Sequence, residues 1–173
     1  GKKDFNSIQE MAKHYIEAIQ KVSPSGPYQL GGYSFGGVVA YEMASQLTSK
    51  GYKVKFVILI DTRKLSHQAL NVLQGKKEKE ELKTMSLSDE ERAMFVQIEK
   101  SEKLTLDYVP PFYDGRVILL KAYSSSESLL DFLIGYENGW ENVLKQPLEI
   151  YSIEGKHEEL LDTNHISIVA KKL

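Results

Sequence analysis

The 173-residue chain has no cysteine. This excludes a disulfide scaffold, a thiolate nucleophile and any cysteine-ligated zinc or iron–sulfur centre. The chain also lacks an excess of either charge: the net charge is −2 and the isoelectric point is near 6.1. Electrostatics therefore give no reason to expect nucleic acid or an anionic membrane as a partner. No apolar run approaches the roughly 18 residues of a membrane span, and Gly1-Lys2-Lys3-Asp4 is not followed by the apolar core of a signal peptide. A cytoplasmic location is the default expectation. Internal repeats are not visible. What remains is an ordinary globular composition, 42% hydrophobic and 27% charged, at a length that suits one domain with a sizeable core.

The most informative stretch is Gly32-Tyr33-Ser34-Phe35-Gly36. A short strand-like run, Tyr28-Gln29-Leu30, precedes it, and a strongly helical run from Val38 to Leu47 follows. Strand, G-x-S-x-G and helix together form the context of a nucleophile elbow. In such a turn the serine is held in a strained backbone conformation, and the flanking glycines, two before and two after it, are expected to remove colliding side chains. The serine hydroxyl then projects from the C-terminal edge of a sheet. The Phe35 N–H is expected at a helix N-terminus, where it can bind developing negative charge. A plain glycine-rich turn explains Gly31, Gly32, Gly36 and Gly37 but gives no reason for the serine between them.

Along the chain, Ile8, Met11, Ala12, Tyr15, Ile19 and Val22 recur at steps that predict an amphipathic helix over Ser7 to Val22. Ser7 and Glu10 form a capping-box signature, and Ser23-Pro24-Ser25-Gly26-Pro27 stops the helix. The helix behind Ser34 is predicted to run to about Lys50, with Gly51 as a left-handed cap. Val54 to Ile60, ending in Asp61, reads as a strand covered on both faces. Val117 to Ala122 and Leu148 to Ile153 are two further strand candidates, and strands alternating with helices predict βαβ units and a parallel sheet. The charge-rich stretch 62–107 is predicted as an insertion. Within it, Ser88-Asp89-Glu90-Glu91 before Met94, Phe95 and Ile98 suggests a short helix with an acidic first turn. It reads either as a lid over the serine or as a solvated helical excursion.

A serine hydroxyl needs a base, and the base needs an orienting acid. Four histidines are available. His14 falls on the polar side of the first helix, His67 in the insertion and His165 in a final helix from His165 to Leu173. His157 lies in a loop just after the strand ending at Ile153 and is the candidate base, with His165 as fallback and a plain surface histidine as the bland reading. Asp61, at the end of the strand after the elbow helix, is the candidate acid; a capping or turn aspartate is its alternative. Asp114 precedes a strand, at the wrong end of the sheet, and Asp162 reads as a cap of the final helix.

These residues and their neighbours resemble the thioesterase domains that end fatty acid synthases, polyketide synthases and nonribosomal peptide synthetases. The resemblance runs from about Ile8 to the C-terminus. It is carried by Glu10-Met11-Ala12, Gly26-Pro27-Tyr28, Gly31-Gly32-Tyr33-Ser34-Phe35-Gly36-Gly37, Ile58-Leu59-Ile60-Asp61, Tyr108-Val109-Pro110, Gly139-Trp140 and Gly155-Lys156-His157, in the family's order. It implies an α/β-hydrolase fold, with a mostly parallel sheet flanked by helices and a helical lid. It also implies Ser34 as nucleophile, Asp61 as acid, His157 as base and the Phe35 N–H in the oxyanion hole, with no cofactor and no metal. The implied substrate is an acyl, polyketide or peptidyl thioester on the phosphopantetheine arm of a carrier protein. Family members begin with several strands and an oxyanion loop of the His-Pro-x-Gly-Gly type, which this sequence lacks. The expectation is therefore a C-terminal part of the domain whose N-terminal part is a separate chain, a cleaved piece or a missing segment, with the elbow strand left as an open sheet edge. A carboxylester hydrolase on the same fold and a non-catalytic hydrolase-like binding module are the rival readings.

Overall fold

The computed structural model describes residues 4–64, 88–123, 135, 137–162 and 167. The first helix, α1, spans Ile8–Val22. Ser7 is extended at its N-cap, and its Oγ accepts the Glu10 N–H at 3.1 Å. The reciprocal half of the expected capping box is shifted by one residue, because the Glu10 carboxylate accepts from the Asn6 N–H. The buried face is rotated from the expected one as well. Ile8, Ala12 and Ile16 are buried, whereas Tyr15 and Val22 are exposed. A four-residue step slightly exceeds one turn, so these three share one narrow face. His14, expected to be exposed, is half-buried. The buried Phe5 folds back over the helix and brings its ring to 5.3 Å from the imidazole.

The chain continues through β1 (Tyr28–Tyr33), α2 (Phe35–Ser49) and β2 (Val54–Ile60). It then forms α3 (Asp89–Leu106), β3 (Val117–Tyr123) and β4 (Glu149–Glu154). The four strands are parallel and lie in chain order, β1-β2-β3-β4. Parallel neighbours cannot be joined by a tight turn, so each step needs a crossover; α2 makes the first. Gly51, at φ +83°, ends that crossover as a left-handed residue. β1 pairs with β2 alone among the described residues.

Side-chain alternation divides the core in two. Val57 and Leu59 of β2, with Val117 and Leu119 of β3, face a large cluster built on α1, α2 and Trp140. Phe56, Ile58 and Ile60 face the other way, toward Ile118, Leu120, Ile153 and Leu160. The expectation that β2 is covered on both faces holds fully for the first face only; on the second its side chains are half-buried. α2 buries Val38, Val39, Ala40, Tyr41, Met43, Ala44 and Leu47, which is almost its full circumference, as befits a helix enclosed between α1 and the sheet. Its one acidic side chain, Glu42, is buried but satisfied, accepting from the Tyr108 hydroxyl at 2.7 Å and from Gln46 Nε2 at 2.8 Å. Hydrogen bonding of this kind is what makes burial of a carboxylate tolerable.

The short helix predicted after Ser88 is instead 18 residues long. The run Glu99-Lys100-Ser101-Glu102-Lys103 contains no glycine or proline to stop it, and Leu104 is buried against the core. Residues 65–87 of the expected insertion, the predicted final helix from His165 apart from residue 167, and both His67 and His165 lie outside the described residues.

Candidate active site

Ser34 sits between β1 and α2 at φ 52°, ψ −123°. A left-handed φ in a residue with a Cβ is a strained conformation, costing on the order of 1–3 kcal/mol. It is held there by hydrogen bonds on both sides: its N–H donates to the Ile60 carbonyl at 2.9 Å, and its carbonyl accepts from the Gly37 N–H at 3.0 Å. The glycines that make the turn feasible differ from those expected. A Cβ on Gly32 would lie 2.2 Å from the backbone of Gly36, and one on Gly37 would lie 1.9 Å from Thr62 Oγ1. A Cβ on Gly36 would meet no atom within 4 Å. The Gly36 backbone and Thr62 require Gly32 and Gly37, respectively, to lack a side chain. Phe35 opens α2, so its N–H belongs to the first turn, where an α-helix supplies no acceptor of its own.

Asp61 directly follows β2, at φ 43°, and is only 1% exposed. Its Oδ1 accepts from the Ala122 N–H at 3.1 Å and from Asn138 Nδ2 at 3.4 Å. Its Oδ2 lies 2.6 Å from His157 Nδ1 and 3.8 Å from the Arg63 guanidinium. Burial pushes this carboxyl upward, but the His157 hydrogen bond, the Arg63 and His157 charges and the Ala122 N–H together hold it below the usual carboxylate range. Asp61 is therefore ionised at neutral pH, an acceptor that fixes the proton of His157 on Nδ1.

His157 opens a short 3-10 turn, His157–Glu159, beyond β4. Its side chain is 27% exposed. The Glu159 carboxylate accepts the Lys156 N–H at 2.8 Å, and Leu160 is fully buried; these two features fasten the loop. Asp61 and His157 both leave the C-terminal ends of parallel strands, where open α/β sheets bind ligands. Asp114 is exposed before β3, accepting from Gln146 Nε2 at 2.9 Å, and Asp162 is exposed beyond the histidine turn; neither takes part in the Asp61–His157 pair.

Ser34, Asp61 and His157 line one cavity of about 580 Å³. Its far wall is α3, which presents Met94, Gln97, Ile98, Ser101 and Thr105. The Ser101 and Thr105 hydroxyls donate to the carbonyls four residues back, at 2.9 Å each.

Several residues at the site were not legible as such. Trp140 Nε1 and Asn138 Nδ2 donate to the Thr62 carbonyl at 3.0 and 3.4 Å. The Lys64 N–H returns a bond to the Asn138 carbonyl at 2.8 Å. The turn carrying Asn138, Gly139 and Trp140 thus clamps the segment that follows Asp61. Gly139-Trp140 is visible as a motif, but its partner is not. Tyr33 stacks on the His157 ring, with centroids 4.7 Å apart, and donates its hydroxyl to the His157 carbonyl at 2.8 Å.

A parallel sheet flanked by helices, with serine, aspartate and histidine beyond the C-terminal ends of β1, β2 and β4, is the arrangement of the α/β-hydrolase class. The thioesterase-domain family model matches residues 1–173, and the chain belongs to that family. It is similar to the NocB thioesterase domain, solved as a covalent complex with a fluorophosphonate nocardicin G analog. Identity there is 34% and the TM-score 0.76, covering 99% of this chain and 74% of that one. Polyketide synthase PksR of Bacillus subtilis (strain 168) is 39% identical over 101 residues, which is 58% of this chain and 4% of that protein. Atromentin synthetase of Tapinella panuoides is 53% identical over 57 residues, 33% of this chain and 6% of that protein. The chain thus matches only a small part of the length of these synthases. Among the described residues no helix is long and apolar enough to cross a membrane, and no cluster of metal-ligating side chains occurs.

Proposed function

We propose that this chain carries the catalytic relay of a serine thioesterase. It would release an acyl, polyketide or peptidyl chain from the phosphopantetheine arm of a carrier protein through an acyl-serine intermediate. The observation that carries this reading is the 2.6 Å contact between His157 Nδ1 and a buried, ionised Asp61, on the cavity that also exposes Ser34. In the proposed sequence His157 Nε2 takes the Ser34 proton as Oγ attacks the thioester carbonyl. Asp61 stabilises the imidazolium, and the Phe35 N–H receives the oxyanion. The C–S bond then breaks, and His157 returns the proton to the departing thiolate. Water, or a nucleophile within the chain, attacks the acyl-Ser34 ester by the same relay and frees Ser34. α3 serves as the lid of the acyl site.

Incubating the protein with a phosphopantetheine acyl thioester and measuring its intact mass tests the proposal. The expected result is an acyl adduct on Ser34 that turns over, and that disappears in Ser34→Ala. Loss of the nucleophile in such a relay costs about 10⁶-fold in kcat. Turnover that persists in Ser34→Ala would remove Ser34 from the mechanism. Preference for an oxygen ester over the matched thioester would favour the carboxylester hydrolase.

A further inference from the structure

Tyr33 is the last residue of β1 and the immediate neighbour of Ser34, yet the mechanism above gives it no part. Its side chain contacts one residue twice. Its ring lies on the His157 imidazole at an interplanar angle of 25°, and its hydroxyl holds the carbonyl of that same histidine, 124 positions away.

The two contacts act on different freedoms of His157. The Asp61 hydrogen bond fixes one ring nitrogen but leaves the ring free to tilt about the Nδ1–Oδ2 line. A face-on aromatic contact opposes that tilt. The hydroxyl holds the backbone from which the imidazole hangs, in a loop whose neighbouring Lys156 and Glu158 are exposed. Burial raises the Tyr33 phenol above its ordinary value. The Glu158 and Asp61 charges add to this and Arg63 opposes it, so the group remains a donor at neutral pH. Because residue 33 is bonded to residue 34, both contacts tie His157 to the backbone that carries Ser34.

We propose that Tyr33 is a positioning residue that holds the His157 ring in line between Ser34 and Asp61. This inference rests on the serine-relay reading above, but one arm of its test does not require turnover.

The variants are Tyr33→Phe, which keeps the ring and removes the hydroxyl, and Tyr33→Leu, which removes both contacts. The turnover-independent arm is the low-field proton NMR signal of the hydrogen shared by His157 and Asp61. It should be sharp in the wild type, broadened in Tyr33→Phe and lost to solvent exchange in Tyr33→Leu. With a thioester substrate kcat should fall about ten-fold in Tyr33→Phe and about 100-fold in Tyr33→Leu, as small misplacements of a catalytic group do, with KM within about two-fold. A low-field signal unchanged in both variants overturns the proposal, whether or not thioesters prove to be substrates. So does a lowered melting temperature with an unaltered kcat per folded molecule, since that is the mark of a packing role alone.

Discussion

The two halves of the proposed relay are built in opposite ways. The nucleophile half is local: Ser34 is posed by a five-residue turn, a positive φ and two glycines, with its hydrogen bonds reaching Gly37 and the end of the neighbouring strand. The acid–base half is assembled at long range. Asp61 meets His157 across 96 positions, Ala122 across 61 and Asn138 across 77. The two meet at Thr62, whose hydroxyl fills the space that Gly37 leaves empty and whose carbonyl is held by Trp140. The local half depends on what is missing, namely side chains. The distant half depends on what is present, namely hydrogen bonds to a buried carboxylate.

That contrast predicts different failures. The largest loss of activity in the distant half should come from Asp61→Asn, which keeps the shape but removes the charge that fixes the imidazole tautomer. A loss of about 10⁴-fold in kcat is expected with the fold retained, checked by steady-state kinetics beside circular dichroism. In the local half, Gly32→Ala should instead destroy the fold of the turn. The new Cβ strikes backbone rather than a flexible side chain, so a cost above about 4 kcal/mol is expected, in the exceptional range for single substitutions, read from urea unfolding. Trp140→Phe should be milder. It leaves the buried Thr62 carbonyl short of a donor, worth about 1–3 kcal/mol, and should lower kcat more than it raises KM, because the segment after Asp61 loosens.

The carboxyl of Asp61 adds a pH signature to the same comparison. Its folded-state pKa is depressed from 3.8. The stability it contributes is therefore complete above the unfolded value and is lost as pH falls through the folded one. The difference in urea midpoint between wild type and Asp61→Asn should therefore shrink as pH falls below about 4. The smallest effect should come from Gly36→Ala. Its Cβ enters open space at the start of a helix, so stability should change by less than about 1 kcal/mol. Equal damage from Gly32→Ala and Gly36→Ala would erase the distinction drawn between the two glycines.

What the sequence made legible follows from the same division. The elbow, the parallel strands and the order of serine, aspartate and histidine are written in short patterns: G-x-S-x-G between strand and helix, apolar runs ending in Asp61, a histidine just beyond Ile153. Tyr33, Asn138 and Trp140 act on partners 124, 77 and 78 residues away, and such pairings leave no periodicity to read. The rotation of the buried face of α1 and the burial of His14 arise for the same reason, since Phe5 covers the helix only after the chain has folded. The length of α3 escaped because its charged run lacks the stop signals that bounded the other helices.

The central claim is that Ser34, Asp61 and His157 form one proton relay. Its most direct measurement is the rate and site of labelling by a fluorophosphonate, which reacts with an activated serine. The account predicts stoichiometric labelling of the Ser34 peptide, slowed at least about 1000-fold in His157→Gln, with the folded state preserved. Labelling of Ser34 at an undiminished rate in His157→Gln, or labelling at another residue, would contradict it.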